Sequence, residues 1–182
     1  MIYYISDTHF FHENIIKICN RPFRDLERMH AVLVSNWNKK VKPEDEIYIL
    51  GDLSYKCLGN SYQQLFKLIK NLNGKKHLVI GNHDRKWLKS YNNQCKEKLF
   101  ESIDIYKDIY DDRNRRVIMF HYPIEDWDGQ YRGSYHLYGH VHNCDNDYKI
   151  IANRYNVGVD VNNFEPKTLD ELIELNTKKS YF

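Results

Sequence analysis

The chain has little of what would mark it as a secreted, membrane-embedded or disulfide-stabilised protein. Its four cysteines include no Cys-x-x-Cys pair, and the N-terminal residues MIYYISDTHF lack the basic and apolar regions of a secretory leader. No apolar run reaches the length that a transmembrane helix needs. We therefore expect a cytoplasmic protein with no membrane partner, whose cysteines are free thiols: Cys19, Cys57, Cys95 and Cys144.

An excess of charge of one sign is also missing. The 27 basic and 25 acidic side chains leave a formal net charge of +2, so the broad basic surface that binds duplex nucleic acid is not expected. With four prolines and eight glycines, no Pro/Gly/Ser-rich linker divides the 182 residues. We predict one domain, 1–182, that is large enough to bury a core without disulfides.

Short apolar runs alternate with segments of helical periodicity in the first half of the chain. The runs are rich in β-branched and aromatic residues and stop at glycine or polar residues, as buried strands do. They are Ile2–Ile5, Ile47–Leu50, His77–Ile80, Val117–Phe120 and His136–Tyr138. Helices are predicted over 25–41, around Leu65, around Trp87, and after Thr168, where Glu171 completes a capping box.

The second half is richer in strands. Ile103–Tyr110 and Arg115–Phe120 are predicted to form a hairpin, and Ile150–Ala152 is predicted to pair with Tyr155–Val161. An α/β half joined to a β-rich half indicates an α/β (α+β) fold: a four-layer α-β-β-α sandwich of two mixed sheets flanked by helices.

Potential metal ligands follow five of the apolar runs at their C-terminal ends, which is the edge where open α/β sheets bind ligands. Residues two apart in extended chain point to the same side, so Asp7 pairs with His9 and His140 with His142. Glycines precede several of these positions and would let the backbone approach closely. The candidate oxygen and nitrogen ligands are Asp7, His9, Asp52, Asn82, His121, His140 and His142.

The order of these motifs resembles that of the calcineurin-like metallophosphoesterases. Asp7-x-His9, Gly51-Asp52, Gly81-Asn82-His83-Asp84, a separate His121 and Gly139-His140-x-His142 are similar to the family's complete motif set, in its order. The resemblance implies a single metallophosphoesterase domain. It also implies phosphate-ester hydrolysis by a hydroxide that bridges two divalent metal ions, with manganese expected ahead of iron, nickel, zinc or magnesium.

The resemblance also implies a role for each residue. One ion would take Asp7, His9, Asp52 and His142, and the other would take Asp52, Asn82, His121 and His140, so that Asp52 bridges them. His83 would face the substrate as an acid or electrostatic catalyst. Asp84 is a catalytic candidate that could accept a hydrogen bond from the His83 ring and fix its tautomer.

Other residues are less specific candidates for substrate or metal contacts. His12 and Arg21 are candidate contacts to the substrate phosphate, with Arg21 ranked ahead of Arg24, Arg85 and Arg132. A thiolate ligand at Cys144 is conceivable, and His136 is expected in the core rather than in the pocket.

The expected substrate is a small or nucleotide-like phosphodiester. A phosphomonoesterase or nucleotidase is the alternative within enzymes. A non-catalytic metal-binding scaffold for protein partners is the alternative outside them, although competent residue types stand at every motif position. An amidohydrolase would need His-x-His on an early strand, where this chain has Asp-x-His. A nuclease acting on duplexes would need stronger basic charge. The sequence leaves the oligomeric state open.

Overall fold

The computed structural model of the chain describes residues 1–55, 61–144 and 151–179. Cys57 and Ile150 lie outside the described residues. Cys19, Cys95 and Cys144 are free, as predicted. Within the described ranges, no helix combines the length and the apolar character needed to span a membrane.

A parallel sheet forms the first half. Its strands are β1 (Ile2–Ile5), β2 (Glu46–Ile49), β3 (Lys75–Val79) and β4 (Ser102–Asp104), in the order β1-β2-β3-β4. All three strand pairs are parallel, and the register sets Ile5 opposite Ile49 and Ile49 opposite Leu78. The C-terminal ends of β1, β2 and β3 therefore meet at one edge of the sheet.

A mixed sheet forms the second half. Its strands are β5 (Tyr106–Tyr110), β6 (Arg116–Phe120), β7 (Tyr135–Tyr138) and β8 (Arg154–Asn156), in the order β5-β6-β7-β8. β5 and β6 form the antiparallel hairpin that the sequence predicts, while β6-β7 and β7-β8 are parallel.

Helices flank the sheets, and two apolar clusters hold the layers together. The helices are α1 (Asn14–Ile18), α2 (Leu26–Lys40), α3 (Ser61–Lys70), α4 (Asp84–Gln94) and α5 (Leu169–Lys179). One cluster joins helices α1 to α4 to the first sheet through residues such as Trp37 and Ile49. The other lies between the two sheets and includes Leu50, Met119 and Leu172. Two sheets face to face with helices outside confirm the predicted fold class.

The helix ends follow their local sequence. Asp25 caps α2 by accepting a hydrogen bond from the backbone N–H of Arg28 at 2.7 Å. At α5, Glu171 accepts from the backbone N–H of Thr168 at 2.8 Å, and the Thr168 hydroxyl accepts from the Glu171 N–H at 3.3 Å. This is the predicted capping box.

Three predicted strands are corrected. In the predicted strand Ile150–Ala152, the described residues Ile151 and Ala152 are not in a strand, and Tyr155 pairs with Leu137 of β7 instead. The run Ile103–Tyr110 is divided between β4 and β5, because the chain leaves the first sheet at Ile105 and enters the second. The predicted strand Tyr155–Val161 ends at Asn156. The Asn156 side chain accepts a hydrogen bond from the Gly158 N–H at 2.8 Å, a local bond that competes with strand pairing, and residues Val159–Val161 form a 3-10 turn.

The outer edge of β1 is covered by the C-terminal part of the chain. Tyr4 and Lys167 exchange two backbone hydrogen bonds of 2.8 and 3.0 Å. Ser6 donates to the Val157 carbonyl and accepts from the Val159 N–H. Residues 157–167 thus join the edge of the first sheet to β8 of the second.

Candidate metal centre

The seven predicted ligands converge at the C-terminal ends of strands from both sheets. Asp7 and His9 follow β1, Asp52 follows β2 and Asn82 follows β3. His121 follows β6, and the pair His140 and His142 follows β7. Several of these residues have left-handed backbone torsions that non-glycine residues seldom adopt. Their φ angles are 57° at Asp7, 51° at His9, 52° at Asp52, 73° at His140 and 50° at His142.

One group of ligand atoms consists of Asp7, His9 and His142, whose donor atoms all lie within 4.8 Å of one another. Among the described residues, neither the Oδ1 of Asp7 nor the Nε2 of His9 has a hydrogen-bond partner, although both atoms are buried. A buried polar atom without a partner is costly unless another ligand satisfies it. Both atoms fit the role of metal ligands.

A second group consists of Asp52, His121 and His140, again with donor atoms within 4.8 Å of one another. The side-chain oxygen of Asn82 joins it, 3.0 Å from the Nε2 of His121 and 3.0 Å from the Nδ1 of His140. This group therefore offers carboxylate, amide and imidazole donors together.

Asp52 lies between the two groups. Its Oδ2 is 3.5 Å from the Nε2 of His9 and 3.6 Å from the Nε2 of His121. The same oxygen is 3.8 Å from the Nε2 of His83, whose side chain is 35% exposed. Asp52 thus faces histidines of both groups and also His83.

Hydrogen bonds on the far side of the rings orient two of the histidines. The Nδ1 of His121 donates to the carbonyl of Leu50 at 2.7 Å, and the Nδ1 of His142 donates to a carboxylate oxygen of Asp160 at 2.7 Å. Metal-binding histidines usually have such a partner on the other nitrogen, because it fixes the tautomer and the ring plane. The Nε2 atoms are thereby directed to the cluster.

The buried charges of the site shift several pKa values. Burial alone would raise the pKa of Asp52, but its interactions with His121 and His9 lower it to about 2. Burial would lower the pKa of His121 and His142, yet the neighbouring carboxylates raise these values to about 9 and about 10. Burial lowers the pKa of His9 well below its ordinary value. The buried carboxylates of Asp7 and Asp52 therefore stabilise positive charge on the groups around them.

Glycines next to the ligands leave no space for a side chain. A Cβ at Gly139 would lie 2.4 Å from the Oδ2 of Asp7, and one at Gly81 would lie 2.3 Å from the Oδ1 of Asp52. At Gly51, where φ is +88°, a Cβ would lie 2.6 Å from the Nδ1 of His121. The backbone thus approaches the ligand side chains more closely than any other residue would allow.

The predicted role of Asp84 is corrected. Its carboxylate is fully buried and accepts four hydrogen bonds, none of them from His83. The donors are the backbone N–H groups of Asp52, Leu53 and Gly81 and the indole N–H of Trp87, at 2.8 to 3.0 Å. Burial and the Asp52 charge raise the pKa of Asp84 to about 6. Asp84 therefore ties the loop after β2 to the loop after β3.

The predicted role of Arg21 is corrected as well. Its side chain is buried behind the first group, where it donates to the backbone carbonyls of Asp7 and Thr8 at 2.7 and 3.0 Å. It also makes a two-point ion pair with Asp160 at 2.7 and 2.9 Å. With these partners, Arg21 is not exposed to bind a substrate phosphate.

Sequence reasoning missed Asp160. Its carboxylate joins the Arg21 ion pair to the His142 ring. The available signal is an acidic residue at the end of the Val-Gly-Val-Asp run, but the composition of that run predicts a strand. His12, the remaining candidate contact, has its Nδ1 3.1 Å from the Nδ1 of His9 and its ring stacked on Tyr55. The exposed Cys144 is in neither of the two ligand groups.

Comparison with known proteins agrees with this geometry. The model of the calcineurin-like phosphoesterase family matches residues 1–157. The chain belongs to that family. It is also 35% identical over 178 residues to an uncharacterised protein of Methanocaldococcus jannaschii, covering 96% of this chain and 90% of the relative.

Two further relatives extend the comparison. A protein of unknown function from Aquifex aeolicus has a solved structure with a TM-score of 0.71 and 31% identity, covering 96% of this chain and 98% of that one. The gene 66 protein of Mycobacterium phage L5 is 34% identical over 84 residues, which is 45% of this chain and 39% of the phage protein. Calcineurin-like phosphoesterases are metal-dependent hydrolases of phosphate esters, and the clustered carboxylate, amide and imidazole donors fit divalent metal ions.

Proposed function

We propose that this calcineurin-like phosphoesterase has a dinuclear centre and hydrolyses a small or nucleotide-like phosphodiester. The observation that carries the proposal is the position of Asp52, whose Oδ2 lies 3.5 and 3.6 Å from histidines of the two ligand groups. A carboxylate shared in this way suits a bridge between two cations. The proposed ligands are Asp7, His9, Asp52 and His142 for one cation and Asp52, Asn82, His121 and His140 for the other.

The residues of the chain divide the chemistry among them. When bound, two neighbouring divalent cations would neutralise the phosphate charge and lower the pKa of a water molecule. His83 lies on the open side of Asp52, and its Nε2 is placed to donate a proton to the leaving oxygen. The backbone N–H of His83 donates to the Oδ1 of Asp52 at 2.9 Å, so the same residue also orients the shared carboxylate.

The diester preference is supported by the position of Arg21. A phosphomonoester dianion carries one more negative charge than a diester and benefits from an extra cationic side chain. The arginine next to the first ligand group is buried in the ion pair with Asp160, so that it does not supply this charge. We propose one domain for the chain, because the site and the residues that support it come from residues 7 to 160.

The test is a matrix of metals and substrates on stripped and reconstituted protein. Mn, Ni, Zn and Mg would each be tested with an aryl phosphodiester, an aryl phosphomonoester and a nucleotide panel, with metal content measured in parallel. We expect two equivalents of metal per chain and a higher kcat/KM for the diester. A single equivalent would contradict the dinuclear centre, and a monoester preference would favour the nucleotidase alternative. Full metal loading without any turnover would favour the protein-binding scaffold.

A further inference from the structure

Two tyrosine rings contact opposite parts of the metal centre. The Tyr55 ring lies edge-on to His83, with ring centroids 4.7 Å apart, and stacks on His12 at 3.9 Å. The Tyr122 ring lies 4.6 Å from His140 and 5.0 Å from His121. Tyr55 is half-buried, and Tyr122 is 36% exposed. Both rings therefore adjoin the cluster while keeping surface open to solvent.

The two rings belong to different ends of the site. His83, which contacts Tyr55, packs against His9 of the first ligand group with ring centroids 5.4 Å apart. His121 and His140, which contact Tyr122, both belong to the second group. A phosphate held between the two groups would have Tyr55 on one side and Tyr122 on the other.

We propose that Tyr55 and Tyr122 are specificity residues, each binding one organic substituent of the phosphodiester through its ring. The inference rests on the proposed function and deepens it, because it selects diesters whose two substituents carry planar groups, such as nucleosides. A phosphomonoester has one organic substituent and would use one ring. Stacking of a base on an aromatic side chain is tolerant of the base's identity and corresponds to about a tenfold change in affinity or more.

The position of His83 assigns the two substituents to the two rings. In the hydrolysis, the oxygen of water bonds to phosphorus, the bond from phosphorus to the leaving oxygen breaks, and a water proton ends on that oxygen through His83. Tyr55 contacts His83 and therefore binds the leaving group. Tyr122, at the other end, binds the substituent that remains on phosphorus.

Two substrates that share a leaving group test this assignment. Bis(p-nitrophenyl) phosphate has an aryl group at both positions, while methyl p-nitrophenyl phosphate keeps only a methyl group after p-nitrophenol leaves. We expect Tyr122→Ala to raise KM about tenfold for the first substrate and less than twofold for the second. We expect Tyr55→Ala to raise KM about tenfold for both. Tyr55→Phe and Tyr122→Phe keep the ring and should keep wild-type KM values.

Tyr131→Ala is the matched control, because Tyr131 is 94% exposed and lies in the 3-10 turn Gln130–Arg132, which precedes β7, whereas the ligands follow the other end of that strand. It should change neither KM. Metal content and circular dichroism of each variant would verify that fold and cluster are intact. Equal changes for both substrates in Tyr122→Ala, or none in either alanine variant, would overturn the inference while the wild type remains an active diesterase. A metal-loaded wild type that hydrolyses neither substrate would overturn the proposed function as well.

Discussion

Hydrogen bonds fix the orientation of several side chains in this site. His142 donates to Asp160, His121 donates to the Leu50 carbonyl, and Asp84 accepts from four N–H groups. His83 differs, because its ring is partly exposed and its Nε2 faces Asp52 at 3.8 Å. Residues of the first kind are expected to affect metal binding, whereas His83 is expected to act on the substrate.

His83→Ala should therefore keep metal and lose turnover. A positioned proton donor contributes about 10²- to 10⁴-fold to a rate, so we expect kcat to fall by that factor while metal content stays at the wild-type level. Elemental analysis and steady-state kinetics on the same preparation would measure both. His77→Ala is the control, since His77 bonds to Glu46 and Ser102 on β2 and β4. Near-normal kcat in the metal-loaded His83 variant would remove His83 from the mechanism.

Asp160→Asn should weaken metal binding. Loss of the carboxylate behind a metal-binding histidine typically lowers metal affinity by about 10- to 100-fold. The change would also remove a charge from the buried pair with Arg21. A competition titration with a chromogenic chelator would measure the affinity. Asp128→Asn, at an exposed carboxylate, should have the wild-type value, and an unaltered affinity in the Asp160 variant would show that the carboxylate is dispensable.

At the scale of elements, the strands that carry the ligands could be predicted from the sequence. The sheet to which a strand belongs was harder to predict. The five ligand-bearing runs were predictable because buried strands have a clear composition and each is followed by a polar motif. The division of Ile103–Tyr110 between two sheets was not, because no glycine or proline marks the crossing at Ile105. Nor was the burial of Arg21, since a single cationic residue looks the same in sequence whether it faces solvent or a buried carboxylate.

The turn after β7 gives a prediction at this scale. A Cβ at Gly139 would lie 2.0 Å from the Ser6 hydroxyl oxygen as well as against Asp7, so Gly139→Ala should push β7 away from the turn after β1. We expect a loss of more than about 1 kcal/mol in unfolding free energy, together with weaker metal binding. Gly133→Ala is the comparison, because a Cβ there has nothing within 4 Å and costs only the strain of φ +84°. Chemical denaturation would measure both, and similar losses with intact metal binding in both variants would contradict the steric explanation.

β7 also carries a buried histidine that should make stability depend on pH. Burial lowers the pKa of His136 to about 4, and its Nε2 accepts a hydrogen bond from the Ile124 N–H. Since the folded pKa lies below the unfolded value of about 6.5, the unfolded state takes up the proton first. Stability should be constant with respect to this group above pH 6.5 and should fall between about pH 6.5 and 4.

Denaturation of wild type and His136→Gln across that range would measure the effect. Glutamine does not titrate, so the variant should show a shallower loss of stability on acidification. Parallel curves for the two proteins would exclude His136 as a contributor.

For the whole molecule, the site connects the two sheets. Asp7, Asp52 and Asn82 come from the first sheet, and His121, His140 and His142 come from the second. Cations bound between them, as proposed, would add links across the sandwich that exist only in the folded state. Metal should therefore stabilise the fold and not only the reaction.

Chelation should accordingly lower the melting temperature. Metal at about 100 times its Kd stabilises a folded protein by about 2.7 kcal/mol per site, which corresponds to roughly 5–10 °C for a chain of this size. Calorimetry with and without chelator, followed by added Mn, would measure the change and its reversal. Asp52→Asn should show a smaller increment, because it weakens both sites. Identical melting temperatures with and without metal would mean that the cluster does not bridge the sheets.

The strip of chain from residue 157 to 167 prevents other molecules from pairing with the edge of the first sheet. By occupying the outer edge of β1 at Tyr4 and Ser6, it uses backbone groups that would otherwise be open to strands of other molecules. Removal of this strip would leave the ligands from Asp7 to His142 in the chain but would expose a template for self-association. The C-terminal part of the sequence thus guards against aggregation as well as supplying Asp160.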